Sequence, residues 1–157
     1  MDGWEVGGIT TFQSGIPVRL MDTGSDNSLV GGYAYESADR PDVVGPIRIQ
    51  DPRKGGAAGP NQFFDPSSFA TEPLGKIGNA SHNLFSGPGL NNWDFTLIKR
   101  VDFKERYQLE FRSEFFNLFN HAQFNSPTGD IAAGDMFGRV FSAADPRFIQ
   151  FGLKLQF

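Results

Sequence analysis

Arg147-Phe148-Ile149-Gln150-Phe151-Gly152-Leu153-Lys154-Leu155-Gln156-Phe157 closes the chain and alternates strictly between apolar and other residues. Ile149, Phe151, Leu153, Leu155 and Phe157 fall on one face, and Phe148, Gln150, Gly152, Lys154 and Gln156 on the other. Successive side chains of a strand point to opposite faces, so this period of two marks a strand with two different environments. Eleven residues at about 3.3 Å each, tilted by about 45°, cross roughly 25 Å, the apolar thickness of an outer membrane. The stretch reads as a strand that crosses a bilayer.

Working back from it, a second alternation near 106–116 puts Tyr107, Leu109, Phe111 and Phe115 on one face and Gln108, Glu110, Arg112 and Glu114 on the other. Three ionisable groups on one face exclude a dry core there, whereas a water-filled lumen accepts them. Near 92–101, Trp93, Phe95, Leu97 and Val101 alternate with Asp94, Thr96, Ile98 and Arg100. Lys99 interrupts the apolar face, but it lies near the turn at 102–105 and can snorkel to the headgroups. For the two apolar faces to coincide, paired residue numbers must sum to an even number, which demands a turn of about three or five residues, not two. A weaker strand near 4–13 sets Trp4, Val6, Gly8, Thr10 and Phe12 on one face, with Gly7-Gly8 lowering its strand propensity.

Composition agrees with a chain that spends its aromatics outside a globular core. Among 157 residues, Phe occurs 17 times while the apolar fraction is 39%, so few Leu, Ile and Val accompany the rings. The net charge of −4, with acids and bases interspersed, leaves no basic patch for a nucleic acid. Cysteine is absent, which excludes disulfides and thiolate metal sites. No run of roughly 18 apolar residues occurs, and the N-terminus lacks the basic and apolar regions of a signal peptide. If the chain enters a membrane, it does so with strands.

The expected fold class is therefore all-β, an antiparallel transmembrane β-barrel fragment of about four meander strands with two long extracellular loops. Residues 15–91 hold eight of the ten prolines and show no sustained period, which predicts a long irregular loop with short strands near Val43–Ile49. Residues 117–146 form the second loop. Outer-membrane barrels have short periplasmic turns and long outer loops. With a periplasmic C-terminus, strand parity places both 15–91 and 117–146 outside and 102–105 inside. On that reading Asp94, Arg100, Gln108, Glu110, Arg112 and Glu114 face the lumen. Trp93 and Phe115 then lie toward the outer membrane boundary and Tyr107 and Phe157 toward the inner, where interfacial aromatic rings gather.

Catalytic and cofactor chemistry finds no support, so no enzyme, cofactor or metal site is expected. His82 and His121 are the two histidines; each falls in a predicted outer loop without a Ser/Asp pattern for a triad. Glu110 and Glu114 lie about 13 Å apart along a strand, too far for paired carboxylate catalysis. Asp22-Thr23-Gly24-Ser25-Asp26-Asn27-Ser28 offers oxygen ligands but lacks calcium-loop spacing and a closing Glu, which favours a polar loop. Gly87-Pro88-Gly89 is a turn rather than a phosphate cradle.

Ile149, Phe151, Leu153, Leu155 and the terminal Phe157 resemble the signal that the barrel-assembly machinery recognises. Several further strings carry a wider resemblance. These are Gly7-Gly8-Ile9-Thr10-Thr11-Phe12-Gln13-Ser14-Gly15-Ile16-Pro17, Arg40-Pro41-Asp42, and Phe115-Phe116-Asn117-Leu118-Phe119-Asn120-His121 through Phe124-Asn125-Ser126-Pro127. With Asp145-Pro146 and the closing strand they look like the C-terminal end of TonB-dependent receptors, nearest to the Oar-like branch with an N-terminal carboxypeptidase-regulatory-like domain. The resemblance covers nearly all of 1–157. It implies a barrel of the Gram-negative cell outer membrane, plugged by an N-terminal domain and coupled to TonB, for energy-coupled uptake of a siderophore, vitamin, glycan or peptide. It also implies that the plug, TonB box and most strands lie outside these residues, so that this stretch by itself does not transport. Implied partners are outer-membrane lipid, the barrel-assembly machinery, the remainder of the receptor and, through it, TonB. Two rivals remain open: a trimeric autotransporter-like anchor, against which stands the lack of heptads, and a soluble β-sandwich that binds a glycan.

Overall fold

The computed structural model describes residues 2–29, 39–56, 59–81, 84–103 and 106–157. His82 and, within the expected turn, Lys104 and Glu105 lie outside the described residues. In chain order the strands are β1 (Trp4–Gln13), β2 (Asp42–Val43), β3 (Phe69–Ala70), β4 (Leu90–Phe103), β5 (Tyr107–Phe116) and β6 (Phe148–Gln156). The chain divides into two compact units, one of Met1–Gln13, Gly89–Gln123 and Ala144–Phe157, the other of Ser14–Pro88 and Phe124–Ala143.

The first unit is a four-stranded antiparallel sheet in the order β1-β4-β5-β6. β4 is longer at both ends than the alternation over 92–101 suggests, because Leu90, Asn91, Asp102 and Phe103 also find partners on their neighbours. Phe103 pairs with Tyr107, so three residues turn the chain and the paired numbers sum to an even value. The odd turn required by the matching apolar faces is thus the one observed. β5 begins at Tyr107 rather than 106, and β6 covers Phe148–Gln156, leaving Arg147 and Phe157 outside the ladder. Near the start of β1, Gly3 has φ +74 and accepts from the Arg100 amide at 2.7 Å; a Cβ there would stand 2.2 Å from the Arg100 carbonyl oxygen.

The second unit is irregular, as its prolines demand, yet it is folded. β2 and β3 pair over two residues each, and Ile49 makes an isolated bridge to Phe64 in place of a strand running on from Val43. Asp65 accepts from the Ser67 amide at 3.0 Å and hydroxyl at 2.7 Å, starting a single 3-10 turn; these bonds hold its carboxyl below the usual carboxylate range. Val18, Leu20, Phe63, Phe64, Phe69, Ala80, Phe137 and Val140 form a buried cluster. Phe64, fully buried, meets Phe69, Phe85 and Phe137 edge-on at centroid distances of 5.5, 5.1 and 5.0 Å. The residues expected as a long irregular loop thus carry a packed core of their own. Edge-to-face rings pack in many directions, so a chain with only two-residue strands and 3-10 turns still buries them.

Phe64→Ala removes the ring at the centre of this cluster and should cost about 3–5 kcal/mol. Hydrogen exchange on the chain folded in detergent should show lost protection around Leu20, Phe69 and Val140, while β5 amides keep theirs.

Candidate functional site

Register sorts the sheet into two faces. Trp4, Val6, Gly8, Thr10 and Phe12 stand opposite Lys99, Leu97, Phe95, Trp93 and Asn91. Phe95, Leu97, Lys99, Val101 and Phe103 stand opposite Phe115, Ser113, Phe111, Leu109 and Tyr107. Leu109, Phe111, Ser113 and Phe115 in turn face Leu155, Leu153, Phe151 and Ile149. One continuous apolar surface results. It is uncovered: Phe151 and Leu153 are 68% and 72% exposed, and every residue of β1 and β6 is exposed. A soluble sandwich would have to bury this face.

Rings gather at both ends of that surface. At one end Phe12, Trp93 and Phe119 form a chain of edge-on contacts at 5.8 and 5.7 Å, and the Trp93 indole donates to Asn91 Oδ1 at 2.9 Å. At the other, Phe103 stacks on Tyr107 at 5.7 Å, and Lys99 Nζ lies 5.0 Å over the Trp4 ring while donating to the Asp2 carbonyl. Lys99 thus reaches toward the turn end, as snorkelling requires. Trp93 and Phe103 are ten residues apart on β4, about 33 Å along the strand, or about 25 Å after a tilt of about 40°. The two bands are spaced like membrane interfaces. Phe115 sits one row inside the Trp93 end, opposite Phe95, and the rings that meet Trp93 are Phe12 and Phe119. Phe119 and Phe12 went unnoticed as boundary residues because no strand period includes the first, and the second lay in the weakest strand.

The opposite face carries Asp94, Arg100, Gln108, Glu110, Arg112 and Glu114, and the fold links them in small polar groups. Arg100 bridges Glu5 and Glu110, each at 2.7 Å. Arg112 pairs with Glu114, which also accepts from Gln150 directly opposite it. Gln108 donates to Asp102 at 2.7 Å. Arg112 therefore makes its salt bridge with Glu114, and Glu110 finds its nearest cation, Arg100, on β4. Each carboxylate of this set in β4 and β5 has a donor, which is what a wetted wall of mixed charge needs to avoid unpaired ions.

The string after β5 is a lock on the strand ends. Asn117, with φ +52, donates through its amide to Asp94 Oδ1 at 3.0 Å; its carboxamide accepts from the His121 amide and donates to the carbonyls of His121 and Asp145. The Gln123 carboxamide pairs with both the amide and the carbonyl of Asn91, standing in for a peptide on a neighbouring strand. Asn120, also at φ +52, accepts from the Arg147 amide at 3.0 Å. Side-chain amides thus carry β-type pairing from β5 to the entries of β4 and β6. The long-range partners of this string lie 23 to 32 residues away, so no local pattern in the sequence shows the lock.

His121 takes part only through its backbone, and Asp22 closes its own turn by accepting from the Gly24 amide and Ser25 hydroxyl. No cluster of three metal-ligating side chains occurs among the described residues.

Residues 1–150 match the family model described as an outer membrane beta barrel domain. The chain belongs to that family, and its sheet is part of an outer-membrane β-barrel wall. No curated protein and no solved structure matches the chain.

Asn117→Gly keeps the left-handed backbone and loses the side-chain bonds, which should cost about 1–3 kcal/mol; Asn117→Ala should cost roughly 1 kcal/mol more for its Cβ. Urea unfolding in detergent should give the order wild type, Gly, Ala.

Proposed function

We propose that this chain is the C-terminal wall of a TonB-dependent receptor, in which extracellular connections capture a ligand and a plug outside these residues moves it inward with energy from TonB. The observation that carries the membrane part is the apolar face bounded by two aromatic bands and backed by an ion-paired face. The receptor part is supported by the strings from Gly7 to Pro17 and from Phe115 to Pro127, together with the lock the second one forms. In this reading Phe157 sits at the periplasmic rim, and residues 15–91 and 117–146 lie outside. Asp94, Arg100, Gln108, Glu110, Arg112 and Glu114 then line the lumen, while Trp93, Tyr107 and Phe115 contact lipid near its boundaries.

Ile149, Phe151, Leu153, Leu155 and Phe157 form the segment that the assembly machinery reads. Its backbone edge is available for pairing, and its apolar side is already formed. β-Augmentation uses both features, main-chain bonds for affinity and alternate side chains for specificity.

Leu153→Arg places a charge at mid-strand on the lipid face, at a cost of about 2–4 kcal/mol. The chain should then accumulate outside the outer-membrane fraction, whereas Lys154→Glu, on the other face, should fractionate normally. An epitope inserted at Gly134, which is exposed with open space around it, should be stained on intact cells. Formaldehyde crosslinking through that tag should recover TonB. Surface staining without TonB would reject the receptor reading and leave the barrel standing; no staining would reject the orientation.

A further inference from the structure

The unit of Ser14–Pro88 and Phe124–Ala143 holds a carboxyl group that no membrane function uses. Glu72 is 2% exposed, and among the described residues no side chain donates to either of its carboxyl oxygens. Its backbone is fastened: the Glu72 carbonyl accepts from Asn27 Nδ2 at 3.0 Å, and the Asn27 carbonyl from the Gly75 amide at 2.6 Å. The charged groups that act on Glu72 are both acids. The Asp39 carboxylate is within hydrogen-bond reach, and Asp22, itself 3% exposed, adds like charge from the turn that Gly24 and Ser25 close.

The two members of the contact differ in their surroundings. Burial pushes the Glu72 carboxyl above the ordinary carboxylate range; its own backbone amide opposes the rise, and Asp39 and Asp22 reinforce it. Burial would raise Asp39 as well, but the hydroxyl and amide of Ser28, the latter at 3.0 Å, hold it below its ordinary value. A buried carboxylate in contact with a second, half-buried one resists ionisation where no cation neutralises it. Among the described residues, the acceptor in reach of a protonated Glu72 is the Asp39 carboxylate.

We propose that Glu72 and Asp39 bind one proton between them, and that this proton clasps residues 22–29 and Asp39 to residues 72–75. The backbone frame for the clasp is already in place, since the Asp22 amide donates to the Asp39 carbonyl at 2.6 Å and Asn27 links to Glu72 and Gly75. A carboxyl whose pKa is raised on folding stabilises the fold below its unfolded value, and that contribution is lost as pH rises through the folded one. Asp39, with a lowered pKa, contributes above its unfolded value and loses the contribution as pH falls through its folded one. The clasp is closed between the two midpoints and opens as Glu72 ionises. The membrane and receptor readings do not enter this argument.

The test uses the full chain folded in detergent. Carboxyl-labelled glutamate and NMR follow the Glu72 titration, and hydrogen exchange, corrected for its intrinsic pH dependence, follows residues 18–29 and 69–81. Protection of both segments should fall together as Glu72 ionises, with exchange rising about tenfold per pH unit beyond the midpoint. Glu72→Gln keeps a donor toward Asp39 and removes the proton, so its protection should be flat across that range. Asp39→Asn, a variant that leaves Glu72 in place, should bring the Glu72 midpoint back toward the ordinary range. An unmoved midpoint in Asp39→Asn, or protection that rises with pH, would overturn the proposal. So would protection at high pH that calcium restores and a chelator removes, because a divalent cation would then occupy the place assigned to the proton.

Discussion

Backbone pairing is the constraint on which the sheet depends. A peptide group left unpaired in hydrocarbon costs several kcal/mol, so a strand can cross a bilayer only with neighbours that satisfy its amides and carbonyls. Once paired, a strand has no freedom to adjust its faces singly. A slip of one residue would carry Phe111 and Leu153 to the polar side and Glu110 and Lys154 to the apolar side. The three-residue turn from Phe103 to Tyr107 is the point at which this parity is set for β4 and β5.

Parity at the far end is held by other means. β5 and β6 are joined by a long connection, which by itself imposes no register. Asn117, Asn120 and Gln123 supply the restraint: they extend from the exit of β5 to Asn91 before Trp93 and to Asp145 and Arg147 before β6. A carboxamide serves well here because it carries a donor and an acceptor in the geometry of a peptide, and asparagine tolerates the left-handed backbone of such exits. The polar face can then afford its charges, since Arg100 and Arg112 are brought to Glu110 and Glu114 by the same register that sorts the apolar side.

The irregular unit answers a different physical demand. With prolines through residues 17–88 it forms no long ladder, and beyond the two-residue pairing of β2 with β3 its backbone order comes from isolated bridges and side-chain caps around phenylalanine rings. Such a body still shuts water away from Glu72 and Asp22. Burial then turns an ordinary acidic pair into one that competes for a proton.

Sequence alone determined which residues share a face in β4, β5 and β6, because side-chain alternation in a strand is a local property with a period of two. The parity of the turn after Phe103 followed from the same rule. The segments of Asp94, Arg100, Glu110 and Glu114 were legible for that reason, but their partners were not. Arg112 lies two residues from both Glu110 and Glu114 on its own strand, so the sequence does not say which it pairs with, and the pairing of Arg100 with Glu110 and Glu5 arises across strands. The folding of residues 14–88 around Phe64, the lock formed by Asn117 and Gln123, and the meeting of Glu72 with Asp39 were decided only by tertiary structure. Each joins residues far apart in a chain that has no period between them, and without a period the sequence carries no geometric information about which distant groups will meet.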